Sequence, residues 1–329
     1  MANNQDTLHD MISNGVQFQK VGAFEYASAN DVLFAASLEP LPQPLWMDGM
    51  IYEKEVTVIF SDTNTGKSVL AVQIAEDIAR QGKTVVYIDF ELSNAQFLMR
   101  YSNENGELKE FSENFKRVTL SPYEPFEQDD SIPNILSLCT ETGAEVIIID
   151  NLTWLDRNTE QGDAAALLMQ ELVKLKRMHG RTVIAISHTP KRYLDRPITE
   201  NDLSGSKKMA NFFDAMVAIG RCVIDPNLRY IKQVKNRNTI VKYGADNVLV
   251  CELNKGEQGN FLHFDILRTA DESDLLQSAD FDTREYRMEQ IKNLSAQGLS
   301  QRHIAKELGV SKTYVQNAQK RIENDTDKD

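Results

Sequence analysis

Long apolar runs are missing from this chain. No stretch of its 329 residues approaches the ~18–20 apolar residues that a membrane helix needs, so no membrane association is expected. The opening segment, MANNQDTLHDMISNG, lacks both a basic start and an apolar block, which leaves nothing to mark secretion; the expected location is the cytoplasm. Cysteine is scarce. Cys139, Cys222 and Cys251 are odd in number and far apart, which fits neither a disulfide framework nor a metal cluster. No internal repeat is present. Positive charge is also short, with 36 Lys and Arg against 49 Asp and Glu, a net charge of −13. Spread evenly, that balance would exclude a nucleic-acid partner, because phosphate contacts require local positive charge. It is not even: residues 283–323 hold eight basic and four acidic residues, a net +4.

What is present is alternation. After a lead-in over 1–45 that ends in the proline-rich LEPLPQPLW, apolar runs interleave with helical patterns. VTVIF precedes a helix from about Lys67 to Gln81, TVVYIDF and AEVIIID precede a helix from about Ala164 to His179, and TVIAISH follows. Strands separated in this way predict an α/β fold with a mainly parallel central sheet and helices on both faces. The strands are apolar throughout, as doubly covered parallel strands are. The runs AMVAIGRCV, LRYIKQVKN, NVLVCELN and NFLHFDILR follow without helices between them and predict an antiparallel edge. The domain reading is therefore 46–268 for the α/β domain, 269–282 for an acidic linker, and 283–325 for a small all-α domain.

At the end of the first strand lies SDTNTGKS, Ser61 to Ser68. A phosphate-binding loop needs backbone N–H groups converging on phosphate, a glycine at close approach, a lysine for the β- and γ-phosphate charge, and a hydroxyl for Mg²⁺. Gly66, Lys67 and Ser68 supply the last three, and Ser61, Asp62, Thr63, Asn64 and Thr65 complete the loop. Ser61 stands where the usual glycine would be, and Asn64 is the residue suited to a left-handed position. Gly-Lys-Ser alone is a weak signal; the strand before it and the apolar stripe Leu70, Ala71, Ile74, Ala75, Ile78 after it strengthen it. ATP and Mg²⁺ are the expected ligands. Asp150, ending EVIIID, is the metal-side carboxylate. Either Asp89 or Glu91, after TVVYIDF, is placed to activate water. His188, ending the next strand, can sense the γ-phosphate as an uncharged imidazole or can be structural.

The order of LWMDGMIYEKEVTVIFSDTNTGKS, VVYIDFELS, EVIIIDNLTWL, IAISHTPKR, LSGSKKMANFFDAMVAIGR and IKQVKNRN resembles that of RecA-like P-loop ATPases, most of all the plasmid replicative helicase RepA group, over about residues 45–250. The resemblance implies Glu91, rather than Asp89, as the catalytic acid and accounts for Asn151 where other ATPases carry a glutamate. It implies that Lys235 and Arg237, in KNR, reach the γ-phosphate of a neighbouring subunit in a homo-oligomer such as a hexamer. It implies that the long loop after His188 faces single-stranded DNA in a channel, with Lys191, Arg192, Arg196, Lys207 and Lys208 as phosphate contacts. A solvated surface loop is the rival reading.

The segment GLSQRHIAKELGVSKTYVQNAQKRIEN resembles a helix-turn-helix of the recombinase and sigma-factor type, completed by an earlier helix at about 283–296. Ser300 and Ser311 are N-caps, and Gly309 allows the turn. Lys312, Thr313, Tyr314, Gln316, Asn317 and Lys320 would face duplex DNA, although such modules also bind protein. Two readings stay open: a DNA-directed motor of plasmid or mobile-element replication, and a DNA-bound regulator or scaffold that ATP switches slowly.

Overall fold

The computed structural model describes residues 18–123, 131–155, 162–204, 207–255, 261–276 and 281–326. They form two compact units divided between Gln43 and Pro44. The first is small. Strand β1 (Gln19–Val21) pairs with β2 (Phe24–Tyr26) in a hairpin, and α1 (Ala29–Ser37) follows, with the Ser28 side chain accepting from the Asp31 N–H as N-cap. Phe24, Leu33 and Phe34 stay exposed and Ala35 is the buried residue of α1, because so short a segment cannot enclose a core.

The second unit is built on a nine-stranded sheet. After a short pair, β3 (Pro44–Trp46) and β4 (Ile51–Tyr52), its strands are β5 (Val56–Ser61), β6 (Val85–Asp89), β7 (Phe115–Val118), β8 (Val146–Asp150), β9 (Thr182–His188), β10 (Ala215–Arg221), β11 (Leu228–Asn236), β12 (Val248–Lys255) and β13 (Leu262–Ala270). Their spatial order is β13-β12-β11-β10-β5-β9-β8-β6-β7. The six from β10 to β7 run parallel; β11, β12 and β13 are antiparallel. AMVAIGR, expected at the antiparallel edge, is instead the parallel neighbour of β5, and the antiparallel extension begins one strand later.

Two apolar layers cover the sheet. Helix α2 (Lys67–Arg80) packs Leu70, Ile74 and Ile78 against one face with Ile59, Ile148 and Ile186, and α3 (Asn94–Arg100) adds Phe97. On the other, α4 (Ser131–Thr142) and α5 (Gly162–His179) bring Ile135, Leu168, Met169 and Leu172 against Val58, Phe60 and Ile147. Alternate residues of β5 and β8 thus enter opposite cores, which explains why these strands read as continuously apolar. All three cysteines are free and buried.

The stretch read as an acidic linker is partly structured. Helix α7 (Glu272–Leu276) buries Leu275 and Leu276, and buried Glu272 accepts from Lys232 Nζ at 2.5 Å, the Tyr230 hydroxyl at 2.9 Å and the Ile198 N–H at 3.0 Å. A buried carboxylate is retained when it is paired and hydrogen-bonded in this way, so composition alone misread it.

Three helices close the chain: α8 (Phe281–Ala296), α9 (Gln301–Leu308) and α10 (Lys312–Thr326). They enclose Ile291, Ile304, Ala305, Val310, Val315 and Ala318. Ser300 accepts from the His303 N–H, Gly309 is left-handed at φ 64°, and the Ser311 hydroxyl accepts from the Tyr314 N–H at 3.0 Å. The bundle is fastened to the sheet. Ser311 donates from N and Oγ to Asp225 Oδ2 at 3.0 and 2.8 Å, and both residues are 1% exposed. Arg268 donates to the Gly309 carbonyl at 2.9 Å.

Candidate active site

The loop from Ser61 to Ser68 leaves the carboxyl end of β5 between β9 and β10, at the point where the strand order reverses and ligands bind in open α/β sheets. Asn64 has φ 57° and Gly66 φ 101°, so the left-handed position expected of Asn64 is present. Ser61 is buried at the end of β5 and is not among the positive-φ residues. It therefore needs no glycine-like freedom; its hydroxyl pairs with that of Thr65, which donates to the Asp62 carbonyl at 2.9 Å. Gly66 is irreplaceable on two counts: its φ, and the Phe264 ring 2.7 Å from where a Cβ would stand.

Lys67 opens α2, whose N-terminal dipole favours an anion. Its ammonium donates to the Ser61 and Asp62 carbonyls at 3.0 and 2.8 Å. Burial lowers its pKa to about 8, against the opposing pull of Asp150, Glu91 and Asp62. A charge held at that cost is poised to gain from bound phosphate. Beside it the Ser68 hydroxyl faces the Asp150 carboxylate and favours its charged form, and that carboxylate accepts from Tyr87 Oη at 2.7 Å. Burial raises the Asp150 pKa, and this hydroxyl and carboxylate are oxygen donors that would hold a divalent cation, whose charge would offset that cost.

Asp89 and Glu91 separate cleanly. Strand β6 stops at Asp89, so the period-2 alternation does not carry both acids to one side. Asp89 is buried, accepts from the Glu91 and Leu92 N–H groups at 3.1 and 2.9 Å, and pairs with Arg117 at 2.9 Å. It shapes the turn. That leaves the exposed Glu91 as the acid open to a ligand, and its Oε1 is held by Asn151 Nδ2. The same Asn151 nitrogen lies 3.2 Å from His188 Nε2. Burial and the neighbouring Lys67 lower the His188 pKa, keeping the imidazole neutral at pH 7.

Arg221, at the end of β10, was not singled out in the sequence. It donates to the Thr63 and Asn64 carbonyls at 2.8 and 3.1 Å, fastening the phosphate loop to the next strand. A basic residue ending a strand beside the loop strand was the available signal, but which strand lies beside β5 is decided by topology.

Lys235 and Arg237 are elsewhere. Asn236 pairs with Ala215, which pairs with Thr57 at the amino end of β5, about 13 Å of strand below Ser61 at ~3.3 Å per residue. Lys235 donates to the Ala210 carbonyl at 2.7 Å. Arg237 donates to the Asn211 carbonyl at 2.7 Å and pairs with Asp214 at 3.4 Å. The structure does not bring them to their own chain's phosphate loop.

The expected DNA-facing residues divide similarly. Lys191 is exposed. Arg192 is not available: its side chain is 6% exposed, lies 3.6 Å from Asp202 and donates to the Arg196 carbonyl. Lys207 and Lys208 open α6 (Lys207–Ala210), and their side chains lie outside the described residues. On α10, Gln316, Asn317 and Lys320 are exposed on one face. Tyr314 packs into the bundle core instead, since its position follows the buried stripe. Thr313 donates to Glu252 at 3.2 Å, and Lys312 lies in the field of the same carboxylate.

The central sheet, the loop at its switch point and the facing carboxylates define a P-loop nucleotide-binding protein of the ATPase kind. A family model described as an AAA domain matches residues 24–193, and the chain belongs to that family. No curated protein matches it significantly. Among the described residues no helix is long and apolar enough to cross a membrane.

Proposed function

We propose that this chain is an ATP-hydrolysing, helicase-like protein that acts on DNA as a homo-oligomer, in the manner of the RepA group it resembles. The observation that carries this reading is the separation of the two halves of the chemistry. Lys67, Ser68, Asp150 and Glu91 meet at one end of the sheet, while Lys235 and Arg237 lie at the other. A pair of cations so placed serves phosphoryl transfer only when a second subunit brings its nucleotide to them. A cavity of about 500 Å³ lined by Arg237, Lys176, Arg177, Asn211 and Phe212 opens beside them, a cationic mouth suited to that approach. Bound Mg²⁺ would neutralise charge on the β- and γ-phosphates. Glu91 would take the proton of the attacking water, and Lys67 and the α2 N-terminus would hold the phosphates.

A specific observation favours the second reading, a nucleotide-switched DNA-bound regulator. Arg221, ending β10, grips the phosphate loop, and Asp225, in the β10–β11 connection that follows it, holds Ser311 just before α10. Nucleotide-dependent movement of that connection would reach the helix expected on duplex DNA. Hydrolysis measured without DNA, with single strands and with duplex separates the two. Stimulation by single strands, lost in Lys67→Ala and Glu91→Gln, supports the motor. Binding without turnover, unchanged by either DNA, overturns it.

A further inference from the structure

Asn151 occupies a position for which the ATPase reading assigns no task, yet it is buried and every polar atom of its side chain is engaged. Its Oδ1 accepts from the Thr153 N–H at 3.0 Å and from the Thr153 hydroxyl. A backbone N–H only donates, so this contact determines which way the amide faces. The two hydrogens on Nδ2 then meet two acceptors, Glu91 Oε1 and, at 3.2 Å, His188 Nε2. A neutral imidazole carries one proton; if Nε2 accepts, the proton is on Nδ1. Nδ1 is buried and, among the described residues, has no hydrogen-bond partner. A buried donor left unpaired is costly, and the nucleotide expected at this site is rich in acceptor oxygens. Three strands converge here: β6 delivers Glu91, β8 delivers Asn151 and β9 delivers His188, and the side chain from the middle strand is the one that reaches both others.

We propose that Asn151 is the positioning residue of this site: its single amide nitrogen holds the Glu91 carboxylate and fixes His188 as the Nδ1–H tautomer, leaving that N–H to donate to a phosphoryl oxygen. The inference rests on the ATPase reading for its consequence but not for its test. A glutamate at 151 would repel Glu91 and accept rather than donate, so the amide suits a site whose acid comes from the neighbouring strand. Asn151→Asp reverses the donor, and Asn151→Ala removes it.

The decisive measurement is the ring ¹⁵N pattern of His188 in the nucleotide-free protein at pH 7.5, assigned by the signal lost in His188→Gln. Free histidine favours the Nε2–H tautomer, so the expected Nδ1–H pattern is distinctive. In Asn151→Ala it should revert to Nε2–H, while thermal unfolding shows the protein folded. Fluorescent ATP-analogue affinity should stay within about threefold of wild type and kcat should fall ~10- to 100-fold, the range for loss of an orienting partner. Asn151→Asp should abolish the Nδ1–H pattern as well. Wild-type His188 found as Nε2–H overturns the proposal, and so does an Nδ1–H pattern unchanged in both variants. A protein that shows the tautomer and its loss but no turnover leaves the positioning role standing and removes the ATPase reading instead.

Discussion

The two ends of the parallel sheet treat charge differently. At the carboxyl ends of the strands, groups are held in unfinished arrangements. Lys67 is buried with its pKa lowered to about 8, Asp150 is buried with its pKa raised, and His188 Nδ1 has no hydrogen-bond partner among the described residues. At the amino ends Asp214 gathers one closed network: it accepts from the Val56 N–H at 2.9 Å, from Lys176 at 2.8 Å and from Arg237 at 3.4 Å. Perturbed groups collected in one cleft mark chemistry, whereas satisfied ion pairs mark structure or a surface awaiting a second chain. Arg237 is half-exposed despite its pairing, as the proposed approach of a second chain requires.

The sharpest break in this contrast comes from exchanging neighbours two residues apart. Glu91→Gln should cut kcat by ~10²–10⁴-fold, the size of a general-base contribution, with ATP affinity and thermal stability near wild type. Asp89→Ala should instead cost roughly 1–3 kcal/mol of stability, because it removes the acceptor shared by the Glu91 and Leu92 N–H groups and Arg117. Urea unfolding set beside steady-state hydrolysis reads both. The roles are reversed if Asp89→Ala is stable and inactive.

The same pair shows how much the sequence carried. The strand-loop-helix around Lys67 was legible because its signals are local: strand, glycine, helix stripe. So were the C-terminal helices, whose caps and apolar spacing lie within a few residues. Asp89 and Glu91 were not separable from the residues alone, because their difference is made by Arg117, on a strand 28 positions away. Glu272 was hidden for the same reason, its acidic surroundings reading as solvent until Lys232 and Tyr230 are seen around it. Arg192 was read as exposed because a basic loop residue usually is, and the fold turns it toward Asp202.

At the opposite end, Arg237→Ala should lower hydrolysis by ~10³-fold or more if it completes a neighbour's site, leaving ATP affinity unchanged. Mixing it with Lys67→Ala, each inactive alone, should restore part of the activity, since a Lys67→Ala subunit still presents Arg237 to an intact loop. No recovery on mixing would return Arg237 to a purely structural role.

A smaller effect follows from the Lys67 proton. Its folded pKa of about 8 lies below the unfolded value, so the nucleotide-free protein should gain stability as pH rises from about 8 towards the unfolded pKa, where the unfolded chain binds more protons. Phosphate favours the charged form, and binding above pH 8 must therefore take up a proton. ATP affinity should weaken by up to about tenfold per pH unit there. Calorimetry in buffers of different ionisation heat would count that proton, and Lys67→Arg, which does not titrate, should abolish the uptake.

The smallest expected change tests whether the helical bundle shares the openness of the nucleotide end or the closure of the other. Asp225 Oδ2 takes both donors of Ser311, and Glu252 sits beside Thr313, so carboxylates face the first turn of α10 where a DNA phosphate would otherwise be received. Asp225→Ala removes one of them and unfastens the turn. If α10 reads duplex DNA through Gln316, Asn317 and Lys320, affinity in a fluorescence-anisotropy titration should rise by roughly threefold to tenfold, about the 1 kcal/mol of a hydrogen-bonded contact. Lys320→Ala in the same background should take it back. An affinity unmoved by both changes would mean that the bundle meets a protein, and that its fastening to the sheet is architecture alone.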